Sequence, residues 1–101
     1  MSSIRRPHAK PRKLNSAEHL RTHGGAAAHL EAALVGTDAA LVACALGEIA
    51  RARGMTEVSR RSGLGRESLY KALSPDGNPG FATILKVVQA LGLRLGVKYE
   101  Q

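Results

Sequence analysis

From Met55 to Ser74 the chain reads M-T-E-V-S-R-R-S-G-L-G-R-E-S-L-Y-K-A-L-S, and this stretch decides the fold. It contains two short helical segments separated by a glycine. Thr56 can open the first, Val58 points inward, and Ser59 is small enough for a neighbouring helix to approach. Gly63, four residues on, can take the left-handed backbone of a tight turn. Leu64, Leu69 and Leu73 then supply the apolar points that fasten a second helix, Arg66 to Leu73, to a core. This spacing predicts a helix-turn-helix over residues 55–73.

Fastened this way, the second helix turns Arg66, Glu67, Ser68, Tyr70 and Lys71 outward, a pattern suited to the major groove of double-stranded DNA. Arg66 can chelate a guanine, and Glu67 can accept from cytosine or orient Arg66. Ser68 or Tyr70 can touch a phosphate or a thymine methyl. Arg60, Arg61 and Lys71 are expected on phosphates, which position without specifying. The plainer alternative is a tight helical corner in a small bundle whose polar residues merely face water.

Working outward, the chain of 101 residues has the size of one domain and leaves no length for a separate enzyme core. With one Phe, two Tyr and no Trp, its core must come from Leu, Val, Ile and Ala, which suits packed helices. The formal net charge is +7. Arg5, Arg6, Lys10, Arg12 and Lys13 stand before Leu14 with no acid among them. Between Ala50 and Leu73, Arg51, Arg53, Arg60, Arg61, Arg66 and Lys71 outweigh Glu57 and Glu67. Such an excess favours a polyanionic partner, although solvated surfaces account for many basic compositions.

Residues 1–14, with two prolines and five cations, read as a basic disordered arm, and residues 15–101 as one domain. Helical composition covers 16–35: Ser16 caps a short helix to about His23, Gly24 and Gly25 interrupt it, and Ala26 to Val35 resume it. Thr37 or Asp38 can cap a core helix over 38–53, with Val42, Ala45, Leu46 and Ile49 on one face and Gly54 as its stop. Ser74 to Gly80 is dense in Pro, Asp, Gly and Asn and reads as a loop. Phe81, Ile84, Leu85, Val88 and Leu91 mark a helix over 81–91 that Gly92 ends. Over 93–99 the period changes to two, with Leu93, Leu95, Val97 and Tyr99 alternating with polar residues and glycine, the pattern of a strand. A lone strand needs a partner, and the same strand of a second copy is the simplest one, so a homodimer is expected. The fold class is therefore mainly all-α, a bundle of about five to six helices with a short C-terminal β-strand.

No constellation for catalysis emerges. Ser59, Ser62 and His29 lack the spacing of a nucleophile and base, so an enzyme is not expected. His19 and His23 have the i, i+4 spacing that can seat a metal, but no acidic or Cys ligand joins them, and a solvated helix face is the simpler reading. Neither metal nor cofactor is expected. Cys44 is solitary and sits in a helical apolar run. With no signal-like or membrane-spanning run, a soluble cytoplasmic protein is expected.

The segments A-L-G-E-I-A-R-A-R-G-M, S-G-L-G-R-E-S-L-Y-K-A-L-S, G-N-P-G-F-A-T-I-L-K-V-V and A-L-G-L-R-L together resemble the addiction-module antidote proteins, HigA-like antitoxins with a lambda-repressor-like (Xre-type) helix-turn-helix. The resemblance spans roughly residues 30–97. It implies a type II antitoxin, a dimeric autorepressor of its own operator DNA that neutralises a RelE/HigB-like toxin. A stand-alone or phage-type transcription regulator without a toxin partner is the alternative. Two positions depart from the pattern: Gly65 stands where relatives usually carry Ser or Thr, and the basic Arg5–Lys13 region where they are acidic.

Overall fold

The computed structural model describes residues 17–100, which form six helices. The arm expected over 1–14 and the Ser16 cap lie outside the described residues. In chain order the helices are α1 (Ala17–Leu20), α2 (His23–Leu34), α3 (Ala39–Arg53), α4 (Met55–Ser62), α5 (Arg66–Ala72) and α6 (Phe81–Ala90).

α3 is the central helix, packing against α1, α2, α4 and α6. Its buried face carries Ala43, Ala45, Leu46, Gly47, Ile49 and Ala50. Of the two candidate caps it is Asp38 that acts, its carboxylate accepting from the Ala40 N–H at 3.0 Å. Gly54 ends the helix at φ 111°. Leu46, Ile49, Val58, Leu69, Leu73, Val87 and Leu91 are the largest fully buried side chains, so one aliphatic core joins α3, α4, α5 and α6. Leu20, Ala26 and Leu30 extend that core under α1 and α2.

The N-terminal region corrects the expected break at Gly24–Gly25. The chain turns earlier, at Arg21–Thr22, and both glycines lie inside the first turn of α2. Thr22 is the reason. Its hydroxyl donates to the His19 carbonyl at 2.8 Å and accepts from the Gly25 N–H at 2.9 Å, so one side chain closes α1 and caps α2. Gly25 permits the close passage, because a Cβ there would overlap the His19 carbonyl oxygen.

The C-terminal end also differs from expectation. α6 stops in a two-bond αL turn: Gly92, at φ 78°, donates to Gln89, and the Leu93 N–H reaches back to Val88 at 3.0 Å. Beyond it, residues 93–100 carry no regular element, and the described residues include no strand. The physical reason is the missing ladder: alternation places Leu93 and Leu95 against the core, but no other extended segment among the described residues lies alongside to share hydrogen bonds. Val97 and Tyr99 are 99% and 89% exposed. Among the described residues no helix is long and apolar enough to cross a membrane.

Candidate nucleic-acid interface

The corner between α4 and α5 is built by backbone freedom at one residue and by hydroxyls at two others. Gly63 takes the left-handed conformation at φ 78°, its N–H bonding to the Ser59 carbonyl at 3.0 Å. Ser59 contributes more than small size: its hydroxyl donates to the Leu64 carbonyl at 2.5 Å, across the turn. The Ser62 hydroxyl accepts from the Leu64 N–H at 3.2 Å. With those bonds made, Leu64 rests half-buried against the core and the chain enters α5 in a fixed direction.

α5 is held from behind and open in front. Leu69 is completely buried and Leu73 nearly so, while Arg66, Glu67, Ser68, Tyr70 and Lys71 are all exposed. Gly65 occupies the N-cap with extended backbone and offers no side-chain hydrogen bond, so the first N–H groups of α5 lack the usual Ser or Thr acceptor. At the other end, α3 touches backbone directly: a Cβ on Gly47 would stand 2.8 Å from the Leu73 carbonyl oxygen. The Ser74 hydroxyl donates to the Lys71 carbonyl at 3.0 Å, and Gly77 folds back so closely that a Cβ there would overlap the carbonyl of Ala72.

The seven residues singled out in the sequence fall into two groups. Ser68 and Lys71 border a shallow depression of about 450 Å³ shared with Ser74, Asp76 and Pro79. Arg60 and Arg61, on α4, lie instead beside Gln89 and Ala90 of α6. Both are exposed and both donate to the same Glu57 oxygen, at 2.6 and 2.7 Å. The hydrogen bond from Arg61, and next that from Arg60, holds the Glu57 carboxyl below its ordinary value.

Two arginines escaped the sequence reading as individuals. Arg53 entered only as one of several cations, yet its guanidinium is pinned, its Nε donating to the Arg21 carbonyl at 3.1 Å while Arg21 Nε donates to the Ala52 carbonyl at 3.2 Å. This reciprocal tie joins the ends of α1 and α3. No local pattern announces a contact between residues 32 apart. Among the described residues no three His, Cys, Asp or Glu side chains, His19 and His23 included, form a cluster that could hold a metal ion.

A family model described as "Probable addiction module antidote protein" matches residues 10–99. The chain is similar to an uncharacterized protein of Haemophilus influenzae, 46% identical over 85 residues that make up 84% of this chain and 88% of the relative. No solved structure gives a significant match.

Proposed function

We propose, since this chain belongs to the family of probable addiction module antidote proteins, that it is the antitoxin of a type II module, with a toxin partner, and that it represses its own operon by binding double-stranded operator DNA. The observation that carries the DNA reading is the division of α5 between Leu69 and Leu73, sealed beneath it, and Arg66, Glu67, Ser68, Tyr70 and Lys71, all open to solvent. In this reading α4, Gly63 and α5 are a lambda-repressor-like, Xre-type helix-turn-helix of the HigA kind, and α5 lies in the major groove. Arg66 chelates a guanine, Glu67 accepts from cytosine or steers Arg66, and Ser68 and Tyr70 contact a phosphate or a thymine methyl. Lys71, Arg60 and Arg61 meet phosphates.

The protein acts as a homodimer, reading two half-sites about one helical turn apart. The C-terminal segment joins the two copies: beyond Leu93 its backbone pairs with no strand among the described residues, Val97 and Tyr99 stand clear of the core, and a second copy of residues 93–99 supplies the missing ladder. The toxin is of the RelE/HigB-like class, and the complex works in the cytoplasm.

Fluorescence anisotropy with a labelled fragment from upstream of the gene, against a scrambled fragment, tests the DNA reading. The upstream fragment should bind more tightly, with affinity falling steeply as salt rises. Arg66→Ala should cost about 1–3 kcal/mol on the preferred sequence and relax choice at one base pair. Equal binding of both fragments by the unaltered protein, or an equal loss on every sequence for Arg66→Ala, refutes this use of α5. Co-expression with the product of the adjacent gene tests the antitoxin reading separately, by restored growth.

A further inference from the structure

A second basic feature lies away from the outer face of α5, where the ends of α1, α3 and α6 meet α2 and α4. A pocket of about 340 Å³ is lined by Arg21, His23, Arg53, Glu57, Arg61 and Ala90. Three arginines thus line one hollow. The only carboxylate in the lining, Glu57, already accepts from both Arg60 and Arg61 through one oxygen. Three arginines and a single acid therefore line the hollow, a local charge of +2, and Arg60 adds a fourth cation beside that acid.

Arg53 is the decisive member. Its Nε is fixed on the Arg21 carbonyl, and its Nη2 is buried with no hydrogen-bond partner, the sole such side-chain atom among the described residues. That nitrogen is closed to solvent and does not itself face the hollow, but an unpaired buried donor is costly, and a small shift of Arg53 toward an anion in the hollow would relieve that cost. Arg61 engages Glu57 through Nε alone, at 2.7 Å. The hollow also continues: a neighbouring depression of about 480 Å³, lined by Arg60, Arg61, Gln89 and Ala90, shares Arg61 and Ala90 with the first. Guanidinium forks match tetrahedral oxyanions well, and two adjoining basic hollows suit linked phosphates better than one isolated carboxylate.

We infer that Arg21, Arg53 and Arg61 form a phosphate-binding pocket, extended by Arg60, that takes a phosphate ester or linked phosphates. The phosphates belong either to a nucleic-acid backbone or to a small phosphorylated compound, and the chemistry is the same for both. This pocket stands independently of the role given to α5.

The test uses the full chain. Inorganic phosphate and pyrophosphate are titrated in thermal unfolding, with sodium chloride at matched ionic strength as the reference. Pyrophosphate at ten times its Kd should raise Tm by roughly 5–10 °C. Arg21→Gln, at an exposed position, should weaken that binding at least several-fold, and Arg53→Lys should do so more severely. Glu57→Gln, which removes the one acid, should tighten it. No stabilisation beyond the chloride reference overturns the inference, as does stabilisation that Arg21→Gln and Arg53→Lys leave unchanged. Should Arg53→Lys not fold, Arg21→Gln and Glu57→Gln decide alone.

The source of the phosphate is then read with the upstream DNA fragment. A salt slope shallower by about one unit for Arg21→Gln, as expected when one DNA phosphate is no longer neutralised, assigns the pocket to the DNA backbone. An unchanged slope alongside weakened pyrophosphate binding assigns it to a free phosphorylated compound. If the unaltered protein binds no DNA, the role given to α5 fails, while the pyrophosphate titration still decides the pocket.

Discussion

Replacing each glycine of the Gly24–Gly25 pair by alanine should move stability in opposite directions, although the two residues are neighbours in the first turn of one helix. Gly24 is exposed, its φ is negative, and a Cβ there meets nothing within 4 Å. Gly24→Ala therefore keeps only the gain from helix propensity and a less free unfolded chain, about 0.5–1 kcal/mol. Gly25 is buried, and its added Cβ would overlap the His19 carbonyl and stand 2.8 Å from the Thr22 hydroxyl. The obstacle is backbone, so α1 must shift against α2, an overpacking cost of about 1–3 kcal/mol. The shift also strains the two Thr22 hydrogen bonds, each contributing about 0.5–1.5 kcal/mol. After the same propensity gain is credited, Gly25→Ala should lose about 1–2 kcal/mol. For a domain of this size that lowers Tm by roughly 5–15 °C, while Gly24→Ala raises it by roughly 2–8 °C. Reversible thermal unfolding followed by far-UV circular dichroism, with urea midpoints at an unchanged m-value, measures both. A Gly25→Ala protein as stable as Gly24→Ala would refute the close approach of α1 to α2.

Other consequences are as direct. Leu69→Ala should cost about 2–5 kcal/mol, because the side chain is wholly enclosed; a urea midpoint within error of the parent would contradict that burial. Gly65→Ser should stabilise by a few tenths of a kcal/mol or more, since the N-cap of α5 has no side-chain acceptor and a Cβ there meets open space; calorimetry on both proteins checks the sign. Gly92→Ala should destabilise by about 1 kcal/mol or more, because φ is 78° and the new methyl approaches the His23 ring at 2.7 Å, as unfolding midpoints would reveal. The lowered pKa of Glu57 means that its pairing with Arg60 and Arg61 contributes fully above the ordinary carboxylate range and is lost as pH falls below it. Stability curves of the parent and Glu57→Gln should therefore converge under acid, and a gap that widens there would be the wrong sign.

The helices with clear periodicity were legible because burial on one face imposes spacing: Ala45, Leu46 and Ile49 in α3, and Val88 and Leu91 at the end of α6, read as core and are buried. The corner at Gly63 was legible because only glycine takes that backbone readily. Gly24 and Gly25 misled for the converse reason. Glycine serves both where a helix ends and where two backbones nearly touch, and composition does not separate those uses. The tail is a third case: the alternation of Leu93, Leu95, Val97 and Tyr99 is a property of the sequence, but a strand is a property of a pair. At the candidate interface, the outward set on α5 follows from the positions of Leu69 and Leu73. The sharing of Glu57 between Arg60 and Arg61 follows from i+3 and i+4 spacing, while the lock between Arg21 and Arg53 depends on how α1 crosses the end of α3.

Gly47 gives α5 a mechanical character of its own. Where most helices rest on a cushion of side chains that can change rotamer, the end of this one abuts the bare surface of α3 through the Leu73 carbonyl. Side-chain rearrangement offers no slack at such a joint. A partner docking on α5 as proposed would meet a stiff edge already in place, so little ordering entropy would be lost on contact and adaptation would fall to that partner.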